Sequence, residues 1–195
     1  MTGPKKPEIL LVRHGETEWS LSGQHTSHTD LPLTENGRRR TGPLREALAG
    51  RSFALVLSSP LRRARETCEL AGFGDQAQIC DDLLEWEYGE YEGLTTPQIR
   101  EKVPGWNLWT DGNPGGEMPD QVAARADRVI ERLRDAGGDA IAFAHGHILR
   151  VLAARWLEMP ASAGARFVLS PGTICTLGYE RDTQVILSWN VTPGG

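Results

Sequence analysis

Two stretches of the chain end alike. "ILLVRHGETEW" (residues 9–19) and "AIAFAHGH" (residues 140–147) each run from apolar residues into a histidine followed by a glycine. Histidine near neutral pH serves as nucleophile, base or hydrogen-bond partner. Arg13 precedes His14 in the first stretch, and His147 follows His145-Gly146 in the second. A third apolar run, "FALVLSS" (53–59), leads through Pro60 into "LRRARETCELA", whose start holds Arg62 and Arg63. Arginine's planar fork of donors matches phosphate oxygens, so Arg13, His14, one of these arginines and His145 together suit a phosphoryl group. A neutral imidazole can attack phosphorus, and a carboxyl group must then protonate the departing oxygen. "LLEWEYGEYEG" (83–93) offers Glu85, Glu87, Glu90 and Glu92 for that task.

These side chains meet only if strands deliver them to one place. In an open parallel sheet, ligands bind beyond the carboxyl ends of the strands, which puts both histidines on one rim. Residues 8–13, 53–59 and the stretch before His145 read as short buried strands. "SLSGQHTSHTDLPLTENG" (20–37) reads as a loop. Thr34 is then a helix N-cap, with a helix to about Ala49 and a stop at Gly50. Ser59 is expected to cap the next helix, with Pro60 in its first turn. "AQICDDLLEW" (77–86) has room for a third short strand. Residues 86–116, rich in Gly, Pro, Trp and Tyr, form a long excursion with one short helix near Pro97–Lys102.

From Pro119 to about Ala136, Val122, Ala126, Val129, Ile130 and Leu133 recur at helical spacing, and Gly137 and Gly138 end the helix. "ILRVLAARWLEM" (148–159) is a further helix, and strands are expected near Arg166–Leu169, Thr173–Tyr179 and Val185–Asn190. Strands alternating with helices predict a three-layer α/β/α sandwich with a largely parallel central sheet.

The totals bound the function. At 195 residues, 39% hydrophobic and 24% charged, the chain is expected to form a single domain over residues 1–195. A net charge of −5 leaves no broad basic face for nucleic acid, although a local cationic cleft is compatible with it. Cys68, Cys80 and Cys175 are scattered and odd in number, with neither zinc spacing nor a disulfide framework, which suits a reducing cytoplasm. "MTGPKKPE" at the start lacks the apolar stretch of a signal peptide, and no run is long enough to span a bilayer.

"LVRHGETEW" resembles the signature of the histidine phosphatase superfamily, with its phosphoglycerate-mutase-like fold. "SSPLRRARET" is similar to that family's Ser-x-Leu-x-Arg-Ala-x-x-Thr segment, "LLEWEYGEYEGLT" to its acid loop, and "AHGHILR" to its second-histidine segment. The four occur in the family's order over nearly the whole chain. "SGQHTSHTDLPLT" and "EWEYGEYEGLTTPQIRE" resemble the phosphatase branch, in particular broad-specificity acid phosphatases of actinobacteria and the sedoheptulose-bisphosphatase type.

The resemblance implies roles. His14 is the nucleophile, and Arg13, Arg63 and His145 complete the phosphate pocket; Arg63 is preferred to Arg62 because the motif arginine immediately precedes alanine. Glu85, four residues before Gly89, is the proton donor, and burial or neighbouring acids are expected to raise its pKa. Thr26, Gly146, Tyr88 and Ser20 are substrate or phosphate contacts, Ser20 standing where many members carry asparagine. His25, His28 and His147 are placed at the pocket mouth, where they meet a second anionic group; a metal set made from these three is the weaker alternative. Trp86, Trp106 and Trp109 are candidates for packing or for a lid over the leaving group.

The expected activity is a metal-free phosphomonoesterase without cofactor, acting on a small phosphorylated metabolite, with possible pairing of the C-terminal strand across a homodimer. The runner-up is a phosphoglycerate mutase; the sequence closes on "SWNVTPGG", which is expected to leave the intermediate open to water. A third alternative is a binding protein that has kept the fold but not catalysis.

Overall fold

A computed structural model describes residues 6–194, so the reading of the first eight residues falls mostly outside the described residues. Six strands, β1 (Ile9–Arg13), β2 (Leu55–Ser58), β3 (Gln78–Ile79), β4 (Ala140–Ala144), β5 (Ile174–Glu180) and β6 (Thr183–Val191), form one sheet in the order β3-β2-β4-β1-β5-β6. The pairings among β3, β2, β4 and β1 are parallel, and β5 and β6 join antiparallel at the far edge. The helices are α1 (Glu18–Ser22), α2 (Glu35–Thr41), α3 (Leu44–Ala47), α4 (Arg62–Leu70), α5 (Thr96–Lys102), α6 (Leu108–Asp111), α7 (Pro119–Arg134) and α8 (Gly146–Trp156).

Side-chain alternation along the strands explains the layers. Ile9, Leu11, Leu57, Ala142 and Leu177 face one side and pack with Val122, Ala126 and Val129 of α7 and Ile148, Leu149 and Leu152 of α8. Leu10, Val12, Val56, Ile141 and Phe143 face the other, against Leu44, Leu48, Cys68 and Ala71. Both faces are covered, which is why β1 and β4 read as unbroken apolar runs rather than alternating ones. Each fully buried leucine, isoleucine or valine in these clusters contributes about 1.5–3 kcal/mol of transfer free energy.

Several local expectations are corrected. The helix expected over 34–49 is two short helices, because Pro43 has no N–H to continue the ladder. Thr34 does cap the first, accepting the Gly37 N–H at 2.9 Å. The loop expected over 20–37 is entered from α1, where Thr17 and Ser20 close a capping box. Ser59 does not cap the helix after β2. That helix opens at Arg62, whose N–H is taken by Asp30 Oδ1 at 2.7 Å across the chain, and Pro60 lies ahead of its first turn.

No strand forms at 166–169: Ala161–Arg166 is a 3-10 helix, and the Val168 and Leu169 carbonyls accept from Trp189 and Arg13 side chains instead of a neighbouring strand. The excursion over 86–116 is built into the core. Trp86, Tyr88, Tyr91, Ile99, Trp106 and Leu108 are buried with the α7–α8 side of the sheet, so Trp86 and Trp106 are packing residues and not a lid. All three cysteines are free and buried, and no helix among the described residues is long and apolar enough to cross a membrane.

Candidate active site

Register brings the two His-Gly pairs together. Arg13 lies opposite Ala144 in the parallel β1–β4 pair, so His14 and His145 leave the sheet side by side. The His14 N–H donates to the Ala144 carbonyl at 2.9 Å, and the imidazole centroids are 5.2 Å apart. β2 ends one position away: the Ser59 N–H donates to the Phe143 carbonyl at 2.9 Å, which sets Ser59 Oγ 2.7 Å from His145 Nε2. At position 15 a Cβ would sit 2.5 Å from Thr41 Oγ1, so only glycine lets the chain turn there.

The hydrogen bonds define which nitrogens carry protons. His14 Nδ1 lies 2.7 Å from the Gly15 carbonyl oxygen, an acceptor only, so Nδ1 holds the proton and Nε2 keeps its lone pair. Burial, reinforced by the Arg63 and Arg13 charges, pushes the His14 pKa well below the usual histidine range. Arg63 Nε donates to His145 Nδ1 at 3.1 Å, so the proton of His145 is on Nε2 and is donated to Ser59. Burial and the same arginines also hold His145 well below the usual range. Arg63 continues into the 26–29 loop, donating to the carbonyls of Thr29, Thr26 and Ser27. Glu92 holds the same loop from outside by accepting from the Ser27 and Thr29 N–H groups.

Glu85, 7% exposed, sits at the start of α8. Its carboxylate accepts the N–H groups of His147 at 3.0 Å and Ile148 at 2.9 Å, and that of Trp86 at 2.9 Å. Its strand-less loop is gripped by Arg125, which donates to the carbonyls of Asp82 at 2.7 Å and Leu84 at 2.9 Å and forms a two-pronged pair with Glu117. Glu117 Oε2 in turn accepts the Glu87 N–H at 3.0 Å.

A cavity of about 170 Å³ opens over these groups, lined by Arg13, His14, Glu85, Tyr88, Gly146, His147 and Arg150 together with Ser20, His25 and Thr26. Arg13 donates to the Leu169 carbonyl, while its buried Nε has no protein partner. Two expected phosphate ligands are set back. Arg63 and His145 are fully buried, absent from the cavity wall, and both ring nitrogens of His145 are engaged. Ser20 reaches the wall, but its hydroxyl donates to Thr17 O at 2.9 Å and accepts from Thr17 N, so it serves α1. The Thr26 hydroxyl donates to Gln24 O at 3.1 Å. Tyr88 OH meets His147 Nδ1 at 2.6 Å.

His25 and His147 are neutral groups. Burial lowers His25 to about 4, and burial with the nearby Arg150 charge holds His147 well below the usual range. His28 turns away to Glu87, 3.4 Å distant. Among the described residues no three His, Cys, Asp or Glu side chains gather as a metal-ligand set. Arg150 is the wall residue that sequence reading missed. Its signal was helical spacing: it lies four residues after Gly146 and three after His147, on the same face of α8.

Comparisons with known proteins give the family. Residues 9–192 match the model of the histidine phosphatase superfamily (branch 1). An acid phosphatase of Mycobacterium tuberculosis is 37% identical over 199 residues, covering 97% of this chain and 95% of the relative. A sedoheptulose 1,7-bisphosphatase of Saccharomyces cerevisiae is 38% identical over 185 residues, covering 78% and 68%. A solved structure of an M. tuberculosis open reading frame superposes with a TM-score of 0.91 at 38% identity, covering 96% of this chain and 98% of that one. The chain therefore belongs to the histidine phosphatase superfamily, branch 1, and is a phosphatase.

Proposed function

We propose that this phosphatase hydrolyses small phosphomonoesters through a phosphohistidine on His14, with Glu85 as proton donor and without a metal ion. The observation that carries the reading is the state of His14: Nδ1 is tied to a carbonyl, the ring is held neutral, and Nε2 keeps its lone pair on a side chain that lines the cavity. Arg13 adds a second support, since an oxyanion in the cavity would give its orphaned Nε a partner. The cavity is smaller than the roughly 300–1,000 Å³ of sites for drug-sized ligands, which suits a small metabolite. The names of the relatives, an acid phosphatase and a sugar bisphosphatase, point the same way.

In the first step the Nε2 lone pair forms the N–P bond as the P–O bond to the leaving group breaks, and the Glu85 carboxyl delivers its proton to the departing oxygen. In the second, ionised Glu85 takes a proton from water, the water oxygen bonds to phosphorus, and the N–P electron pair returns to Nε2. Arg13 and the start of α8 face the transferring oxygens; Arg63 acts from behind, keeping His14's surroundings positive, and neutral His145 lies between Arg63 and Ser59. In phosphoryl transfer, positioning and preorganised charge of this kind supply almost all of the catalysis.

Quenching the enzyme with ³²P-labelled phosphomonoester tests the route. An acid-labile, alkali-stable phosphoenzyme is expected, absent in His14→Ala, with turnover unchanged by EDTA. A labelled His14→Ala enzyme refutes the nucleophile, and loss of turnover in EDTA refutes the metal-free route. Transfer of the group to a second hydroxyl instead of water would make the site a mutase; interconversion of phosphoglycerates faster than phosphate release would establish that activity.

A further inference from the structure

Arg13 reaches the cavity from the end of β1, but the strand does not by itself aim a long, freely rotating side chain. Among the described residues, the Leu169 carbonyl is the one group that accepts a hydrogen bond from the Arg13 side chain, and Nε is left without a partner. The direction of the guanidinium therefore depends on where Leu169 is held. Leu169 lies in an irregular segment between the 3-10 helix at Ala161–Arg166 and β5, with no strand to fix it. The same segment meets the main chain beside the nucleophile. The Thr173 carbonyl accepts the Arg13 N–H at 3.2 Å, and the Gly172 N–H donates to Arg13 O at 3.1 Å and to His14 O at 3.0 Å.

Two neighbours on β6 hold this segment. Trp189 Nε1 donates to the Val168 carbonyl. Asn190 reaches further along it. Its Oδ1 accepts the Ser170 N–H at 2.7 Å and lies 3.1 Å from the Thr173 hydroxyl, whose proton it shares with the Ser170 carbonyl. Asn190 thus ties down the residue after Leu169 and the residue before β5. Its backbone explains how a strand residue comes to point there. Between the pairs Thr176–Ser188 and Ile174–Val191, β5 has one residue and β6 has two, which is a β-bulge, and bulges re-aim side chains. Asn190 carries the left-handed conformation of that bulge, with φ at +57°, which asparagine adopts more readily than other residues with a side chain. Its N–H donates to Cys175 Sγ at 3.2 Å.

We propose that Asn190 is a positioning residue for the reaction: through the 169–173 segment it fixes the Leu169 carbonyl and so aims the Arg13 fork at the transferring phosphoryl group. Asn190 does not line the cavity, so it acts only through Arg13. The proposal rests on the role given to Arg13 in the phosphomonoesterase reading above and adds a residue to it.

Two substitutions separate side chain from backbone. Asn190→Gly deletes the amide but keeps a residue at ease with positive φ, and Asn190→Asp keeps both the acceptor and the backbone preference. With p-nitrophenyl phosphate, Asn190→Gly is expected to lower kcat roughly tenfold to a hundredfold, as a small misplacement of a catalytic group does, with KM little changed. Asn190→Asp should keep most of kcat. Vanadate takes the five-coordinate geometry of the transferring phosphoryl group, so its inhibition should weaken in Asn190→Gly by more than inhibition by phosphate does. In an Arg13→Gln background, Asn190→Gly should add little further loss, because the two act as one unit.

Full kcat in folded Asn190→Gly overturns the proposal, even if Tm falls, and so does the same fold loss with and without Arg13. If Asn190→Gly does not fold, Thr173→Val, which removes the hydroxyl at Oδ1, must show the Arg13-dependent loss, and its absence there overturns the proposal as well. The underlying reading fails in other ways. A fully active Arg13→Gln would strike the role of Arg13 and this proposal with it. A wild-type enzyme that forms no phosphoenzyme would strike His14 as nucleophile, while the Arg13-dependent loss would still decide for or against Asn190.

Discussion

As the proposed nucleophile His14 must be neutral and keep Nε2 free, and its surroundings meet both needs. The Gly15 carbonyl fixes the tautomer, while burial and two arginines keep the ring unprotonated. Turnover should therefore persist into acid: kcat is expected to hold its plateau below about pH 6.5, the ordinary histidine value. An acid limb centred there would show that His14 titrates like an exposed histidine. Arg63→Gln removes one of the charges opposing protonation, so its acid limb should move to higher pH; an unmoved limb would contradict the charge assignment.

Glu85 carries a different expectation. A proton donor matters most when the leaving oxygen is basic, so Glu85→Gln should cut kcat on alkyl phosphates by roughly 10²–10⁴-fold, yet much less on dinitrophenyl phosphate. Uniform loss on both would remove Glu85 from the donor role. His14 and Arg13 could be named from their types and their place at a strand end, and Glu85 through the family resemblance; all three line the cavity. The retreat of Arg63 and His145 behind the wall was not legible in the sequence, since it depends on the Thr26–Thr29 loop folding over Arg63.

At the scale of elements, the site is a meeting of strand ends, one helix start and one clamped loop. β1, β2 and β4 need only their apolar runs to place His14, Ser59 and His145. The Glu85 loop has no strand to hold it, and Arg125 on α7 does that work together with Glu117. Arg125→Gln breaks a mostly buried ion pair, for which a stability loss of about 3–5 kcal/mol is expected. In the fraction still folded, kcat on alkyl phosphates should fall further than on dinitrophenyl phosphate, with KM little changed. Equal loss across leaving groups would reduce the clamp to a purely structural part.

Helix breaks at Pro43 and the missing strand at 166–169 show where local reading fails. Pro43 is a sequence signal that the apolar pattern outweighed. The 166–169 segment has strand-like composition, but its carbonyls are claimed by Arg13 and Trp189.

Across the whole molecule, the buried imidazoles of the candidate site set a stability limit. Four of the five histidines, His14, His25, His145 and His147, have folded pKa values below their unfolded ones. Below about pH 6.5 the unfolded chain takes up protons that the native state refuses, so stability is full above that pH and falls as the solution is acidified. His25 extends the window down to about pH 4. Calorimetric Tm should drop steadily from about pH 7 to about pH 5, and inorganic phosphate, binding the native site, should recover part of it. A flat or rising Tm over that interval would contradict the buried neutral histidines.

By itself the sequence determined the layer order and named the candidate reacting groups, because apolar runs dictate which strands are buried on both faces and a strand's last residue must emerge at the rim. Only the tertiary structure decided which charges are left without partners. Pairing is a matter of distance between residues far apart in the chain, and sequence spacing carries no record that Arg125 finds Glu117 while Arg150 finds only carbonyls and a tryptophan face.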